Sequence, residues 1–283
     1  MKVQMRIVES ALITETVKKL CIDANRNLPV DVRERIRECR LSETWPAAQD
    51  TLDKIIGNFE LAEKRRIPIC QDTGMACVFL EIGTGVYIEG DVNEAVHEGV
   101  RQGYREGYLR ASVVADPLNR KNTGDNTPAL INIDFVPGDR IAVTVAPKGF
   151  GSENMSRTKM LSPSDGVNGV INFVVDTVEK AGPNPCPPIV VGVGIGGSFD
   201  RAALIAKKAL LRPLGDHHHD PYYADLEKKL LKRINALGIG PQGFGGATTA
   251  LAVAVETMPT HIAGLPCAVN INCHVSRHAK EVL

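Results

Sequence analysis

The sequence predicts an α/β chain of mixed α+β character. A helical N-terminal segment over about residues 1–68 is followed by a mixed sheet with at least one antiparallel hairpin. Three observations carry this. Apolar residues before residue 66 recur at helical spacing. Beyond residue 75 they gather into short runs separated by helical patterns. Pro137-Gly138-Asp139 stands as a turn between two of those runs.

Taken in order, Ile7, Val8, Leu12, Val17 and Leu20 predict a helix over 3–24. Residues 25–29 break the pattern and 30–39 resume it. Leu52, Ile55, Ile56 and Leu61 mark the inward face of a helix over 47–65. Residues 76–82 read as a strand. Asp91 suits the N-cap of a helix over 91–108, which leaves Arg110 in the segment just beyond. Residues 119–128 are a polar loop, and 129–136 with 140–146 form the predicted hairpin. Helices over 165–180, 198–211 and 226–237 alternate with strands over 189–193 and 248–256, and an apolar segment over 268–272 delivers Cys273. With no internal repeat, the expectation is one domain over 1–283.

Composition excludes several function classes. Lysine plus arginine equals aspartate plus glutamate, 33 each, which argues against a nucleic-acid or membrane-surface partner. No apolar run approaches the roughly 20 residues of a membrane span, and the N-terminus lacks signal-peptide character. A cytoplasmic protein is expected. Seven cysteines, an odd count without a secretion signal, argue against a disulfide framework.

Cys21 and Cys39 fall in helical patterns and read as plain core or surface thiols, whereas Cys77 and Cys267 fall in strand patterns and read as packing residues. Cys70, Cys186 and Cys273 differ, because Gly, Pro or polar residues crowd each of them. Cys70 opens Cys70-Gln71-Asp72-Thr73-Gly74, a connection between a helix ended at Pro68 and the strand over 76–82. No cysteine pair has the close spacing of a structural zinc site. Three cysteines from separate loops better suit an iron–sulfur cluster, which leaves one of four irons open as a Lewis acid.

Two further motifs compete. Gly192, Gly194 and Gly197 fit G-x-G-x-x-G between strand and helix, with Asp216 beyond, as in a dinucleotide site. The motif sits far from the N-terminus, which disfavours that reading. His217-His218-His219 reads as a solvated loop cluster rather than a metal patch.

Cys70-Gln71-Asp72-Thr73-Gly74, Gly149-Phe150-Gly151-Ser152-Glu153-Asn154, Cys186-Pro187-Pro188, residues 192–196 and Gly238-Ile239-Gly240-Pro241-Gln242-Gly243 together resemble class I fumarate hydratase. The resemblance is to the α subunit, or N-terminal region, of iron–sulfur hydro-lyases that include L(+)-tartrate dehydratase. It implies a [4Fe–4S] cluster on Cys70, Cys186 and Cys273. It implies that Gln71, Arg110 and Gly151 bind a small dicarboxylate and that Asp72 and His261 transfer protons. It also implies a β subunit that completes the site, in a homodimer of α or an α2β2 assembly. Two details stand apart. His274 follows Cys273 where many relatives have tryptophan, and Cys267 is a rival third ligand. The Gly-Ser-Glu-Asn loop favours fumarate and malate over tartrate. A non-catalytic iron–sulfur protein and a nucleotide-binding oxidoreductase are the alternatives.

Overall fold

A computed structural model describes residues 5–283. The chain divides into two compact units. One comprises the residues up to Pro29, Phe59–Phe150 and Arg277–Leu283; the other comprises Val30–Asn58 and Gly151–Ser276.

The first unit holds β1 (Arg6–Glu9), α1 (Ser10–Arg26), β2 (Met75–Gly83), β3 (Val86–Glu89), α4 (Val92–Glu106), β4 (Leu130–Val136), β5 (Ile141–Lys148) and β10 (Ala279–Val282). The N-terminal segment is therefore not wholly helical: β1 pairs in parallel with β3, and α1 starts only at Ser10. Residues 3 and 4 of the expected helix lie outside the described residues. Ile13, Val17, Leu20, Cys21 and Ala24 line the buried face of α1 at three- and four-residue spacing. Ile13, Val17, Leu20 and Cys21 join Val96, Val100 and Tyr104 of α4 and the inward residues of β2 and β5 in one core. Asp91 caps α4 as expected, its carboxylate accepting from the N–H groups of Asn93 and Glu94.

The sheet runs β10-β5-β2-β4. Antiparallel pairs are present, β2 with β5 and β5 with β10, but the predicted hairpin is not. β4 and β5 do not pair, because β2 lies between them, parallel to β4 and antiparallel to β5. The turn at 137–140 instead wraps the end of β2. Gly83 and Gly85 donate to Arg140 and Gly138, and Thr84 donates to Val136. Turn residues establish a reversal of direction, not which neighbour the returning strand meets.

The second unit holds α2 (Val30–Ser42), α5 (Phe150–Glu153), β6 (Arg157–Leu161), α6 (Gly166–Ala181), β7 (Ile189–Gly196), α7 (Phe199–Ala209), α8 (Pro221–Asn235), β8 (Ala250–Met258) and β9 (Leu265–Asn272), with α3 (Pro46–Arg65) entering from its N-terminal end. Its mixed sheet runs β6-β9-β7-β8. β7 is buried along its whole length. Ile189, Val191, Val193 and Ile195 face a core shared with α6 and α8. Each such burial stabilises by roughly 1.5–3 kcal/mol. Gly192 and Gly194 point the other way. A Cβ on either would meet the carbonyl oxygen of Ala206 or Ala202 at 2.1 Å. These glycines let α7 lie directly on the strand. That packing accounts for two of the three glycines of the dinucleotide-like motif.

Candidate active site

The site is built around the turn that joins α3 to β2 in the first unit. Arg66 takes a left-handed φ of 55°, and the Ile67 N–H reaches back to Ala62 O at 3.1 Å, which ends the helix. Gly74 then adopts φ +76° while a Cβ there would stand 2.8 Å from the Lys148 backbone. Only glycine meets both conditions.

Four buried polar groups and one half-buried carboxylate hold this turn. The Tyr104 hydroxyl lies 2.7 Å from the Thr73 carbonyl oxygen and 2.9 Å from that of Gly74. Burial pushes its ionisation well above the ordinary tyrosine range. Asn126 Nδ2 donates to Gly74 O at 3.2 Å, and its Oδ1 accepts from Ser112 N–H. The Thr73 hydroxyl donates to Arg110 O at 3.0 Å and accepts from Arg110 N–H at 2.9 Å. Arg277, 4% exposed, donates through Nη2 to the Asp72 carbonyl oxygen. Its Nε and Nη1 have no hydrogen-bond partner among the described residues. The carboxylate of Asp72 is the fifth group, half-buried rather than sealed. Oδ1 accepts from Gly74 N–H at 3.0 Å and Oδ2 from Phe150 N–H at 2.9 Å. Asp72 thus ties the turn to the end of β5. Cys70, Gln71, Asp72 and Arg110 belong to this one assembly, and the side chains of Gln71 and Arg110 are exposed.

The second unit brings Cys186 and the segment after Cys273 together. Cys186 takes φ 54° ahead of a cis Pro187–Pro188 bond. His274 N–H donates to Cys186 O at 3.3 Å, and His274 Nδ1 lies 3.0 Å from the same oxygen. Gln242 donates to Pro187 O through both its backbone N–H and its Nε2, each at 2.8 Å. Its Nε2 is also 3.2 Å from His274 Nδ1. One ring nitrogen serves either the carbonyl or the amide, according to the tautomer. Gly151 sits exposed in α5, with no atom within 4 Å of where a Cβ would be. Packing does not explain that glycine. His261 is exposed in the loop between β8 and β9, and its Nδ1 accepts from Ala263 N–H at 3.2 Å. This places the proton of the neutral ring on Nε2.

The seven cysteines divide by burial. Cys21, Cys39, Cys77 and Cys267 are buried, whereas Cys70 and Cys273 are half-buried and Cys186 is exposed. Burial pushes the Cys21 and Cys267 thiols up to about 12. It raises that of Cys39 as well, against the opposing charge of Arg35 and a hydrogen bond with Thr248. A thiol that resists ionisation is a poor iron ligand. The accessible set, Cys70, Cys186 and Cys273, fits a thiolate-held group in its donor chemistry. Among the described residues, no three His, Cys, Asp or Glu side chains are gathered into a metal-holding group.

In the histidine run, His217 and His219 are exposed as expected of a solvated cluster, but His218 is not. His218 is buried, and His217 Nδ1 lies 3.1 Å from Oε2 of Glu227, itself 1% exposed and ion-paired to Arg212.

With this geometry established, comparison with known proteins is decisive. The sequence model of the family described as Fumarate hydratase (Fumerase) matches residues 14–282. The chain belongs to that family. Three of its curated relatives are tartrate dehydratases by name. One from Methanocaldococcus jannaschii, provisionally named an L(+)-tartrate dehydratase subunit alpha, is 46% identical over 275 residues, 94% of this chain and 96% of the relative. The L(+)-tartrate dehydratase subunit alpha of Escherichia coli strain UTI89 is 33% identical over 269 residues, 94% and 88% of the two chains. The K12 strain protein of that name is 32% identical over the same length. Membership places the chain among hydro-lyases, with the choice between fumarate and tartrate left open by the names. No helix among the described residues is long and apolar enough to cross a membrane.

Sequence reasoning named Cys70, Gln71, Asp72 and Arg110 but missed what holds them. Thr73 lay inside the quoted motif without a role. Tyr104, Asn126 and Arg277 carried no signal, because a lone Tyr, Asn or Arg in sequence does not announce which carbonyl it will satisfy.

Proposed function

We propose that this chain is the α subunit of an iron–sulfur hydro-lyase that hydrates fumarate to (S)-malate reversibly, together with a β subunit. The observation that carries the reading is the segregation of its cysteines. In a chain of this family, the three that are not buried are Cys70 and Cys186, which stand in motif loops, and Cys273, which directly follows β9. Cys70, Cys186 and Cys273 would hold a [4Fe–4S] cluster. Such a cluster supplies a Lewis acid for the departing hydroxyl. Cys267 is set aside as a ligand by its burial in the sheet core.

The chain's own residues supply the remaining chemistry. Dehydration takes a proton from one carbon and hydroxide from its neighbour, and the C–H electron pair becomes the double bond. Arg110 presents a planar fork that matches a substrate carboxylate. Gln71 offers an exposed amide on the turn that carries Asp72, and Gly151 is open to a ligand. Asp72 suits proton removal. Each of its oxygens accepts one backbone N–H and retains a second lone-pair direction. His261, with its ring proton on Nε2, suits proton delivery to the leaving oxygen. The β subunit is supported by the relatives, which carry the name subunit alpha.

A second reading, dehydration of L(+)-tartrate, is favoured by the names of those relatives. Both substrates are 2-hydroxy dicarboxylates, and the same grip and proton transfers serve either. The test is turnover of (S)-malate and of L(+)-tartrate by the chain reconstituted anaerobically with its β subunit. A higher kcat/KM for malate supports the fumarate assignment, and a higher value for tartrate replaces it. Turnover of neither overturns the hydro-lyase reading.

A further inference from the structure

Thr73 makes two hydrogen bonds to the backbone of a single distant residue. Its hydroxyl donates to Arg110 O at 3.0 Å and accepts from Arg110 N–H at 2.9 Å. The two residues are 37 positions apart, and Thr73 is 2% exposed. A hydroxyl has one donor and two acceptor directions, so these bonds use its only proton. As a β-branched side chain, Thr73 is also stiff about χ1, so its hydroxyl direction is set by the turn it stands on.

Arg110 needs such a support. It lies beyond the end of α4, after Tyr108, which takes φ 54°. No helix or strand ladder holds its peptide groups. Leu109 N–H is spent on Tyr104 O at 2.9 Å, and Ser112 N–H on Asn126 at 2.8 Å. Between them, the backbone N–H of Arg110 donates to the Thr73 hydroxyl, and its C=O accepts from Thr73 at 3.0 Å and, at a longer 3.5 Å, from the Ser112 hydroxyl. The neighbouring Asp72 and Cys70 stand on the same turn, which Tyr104, Asn126 and Arg277 fix from below.

We propose that Thr73 is the positioning residue of Arg110. It locks the base of the carboxylate grip to the turn that carries Cys70 and Asp72, and its two closer hydrogen bonds hold the distance between grip and proton acceptor. The proposal rests on the reading of Arg110 as the substrate-carboxylate group. Binding and reaction geometry then share a hinge. Loosening it leaves the arginine present but mis-aimed, and misplacement of about 1 Å is enough to cost a large factor in such a site.

The experiment compares Thr73→Val, Thr73→Ala and Thr73→Ser in the holoenzyme reconstituted with its β subunit, with (S)-malate or L(+)-tartrate as substrate, whichever the wild type turns over. Val keeps the shape without the hydroxyl, Ala removes both, and Ser restores the hydroxyl. Val100→Ala, a core truncation in the same unit, controls for general loss of stability. Thr73→Val and Thr73→Ala should raise KM by about tenfold or more, with a smaller fall in kcat, and Thr73→Ser should return KM to within about threefold of wild type. Val100→Ala should lower the melting temperature without moving KM. Arg110→Ala separates the two layers. If it raises KM while the hydroxyl-free variants do not, the Thr73 inference falls alone. If it leaves KM unchanged, the reading of Arg110 falls and takes this inference with it. A KM shift in Val100→Ala equal to that of Thr73→Val would reduce Thr73 to a general packing role.

Discussion

His274 binds the carbonyl oxygen of Cys186 through its backbone N–H at 3.3 Å, with its Nδ1 3.0 Å from the same atom. A residue that immediately follows Cys273 thereby fixes the peptide of Cys186. Removing the ring leaves the backbone bond but loses the side-chain contacts to Cys186 O and Gln242. His274→Ala should therefore destabilise by about 1 kcal/mol and speed cluster loss to a chelator. Melting temperature and the rate of iron release check this. Unchanged iron release would show that the ring plays no part in holding the cysteine loops.

Asp72 is predicted to have two separable roles. Asn in its place has one acceptor oxygen, so one of the two N–H groups now served, Gly74 or Phe150, would face an amide donor. Asp72→Asn should lose about 1 kcal/mol of stability for that reason. If the carboxylate also transfers a proton, kcat should fall by roughly 10²–10⁴ while iron content stays whole. Denaturation midpoint, iron content and dehydration rate measured together distinguish the roles. A stability loss with wild-type turnover would confine Asp72 to holding the turn.

The loop that carries Asn126 should be sensitive to acid. Burial disfavours the charge on Asp125, but the Thr127 N–H and hydroxyl and the Arg101 guanidinium outweigh it and hold the carboxyl down to about 2. An unfolded aspartate titrates near 3.9. The folded value is the lower one, so the stabilisation is complete above about 3.9 and is lost as pH falls towards about 2. Wild type should be more stable than Asp125→Asn near neutrality, and the gap should close between those two values. Urea midpoints across that range test it, and a gap independent of pH would refute the assignment.

Arg212 and Glu227 form a buried ion pair in the second unit, with their side chains 16% and 1% exposed. Glu227 also accepts from Val255 N–H at 2.8 Å and His218 N–H at 3.2 Å. Arg212→Met strands that carboxylate and should destabilise by about 3–5 kcal/mol. The double variant Arg212→Met/Glu227→Leu should recover much of the loss, because the buried charge is gone as well. Chemical denaturation of the singles and the double closes the cycle. Strict additivity would contradict the pairing.

How far the sequence reached can be seen in particular elements. The helices at Pro46–Arg65 and Val92–Glu106 and the strand at Ile189–Gly196 were legible, because apolar period and caps are local properties. Sheet order was not. Nothing in residues 129–146 records that β2, some fifty positions earlier, lies between the two strands. The short strand Arg6–Glu9 was read as helix because four residues hold too little pattern to oppose the helical run that follows. At the site, residues of unusual chemistry in unusual surroundings, Cys70 above all, announced themselves. Arg277 did not, since its role lies in the carbonyl it meets across the fold.

The central claim is that Cys70, Cys186 and Cys273 together hold one iron–sulfur cluster. The direct measurement is iron and acid-labile sulfide per chain after anaerobic reconstitution of wild type, the three single Cys→Ser variants and Cys267→Ser. About four irons in wild type and in Cys267→Ser, with collapse in each of the other three, is the predicted result. Full iron content in Cys186→Ser would contradict it.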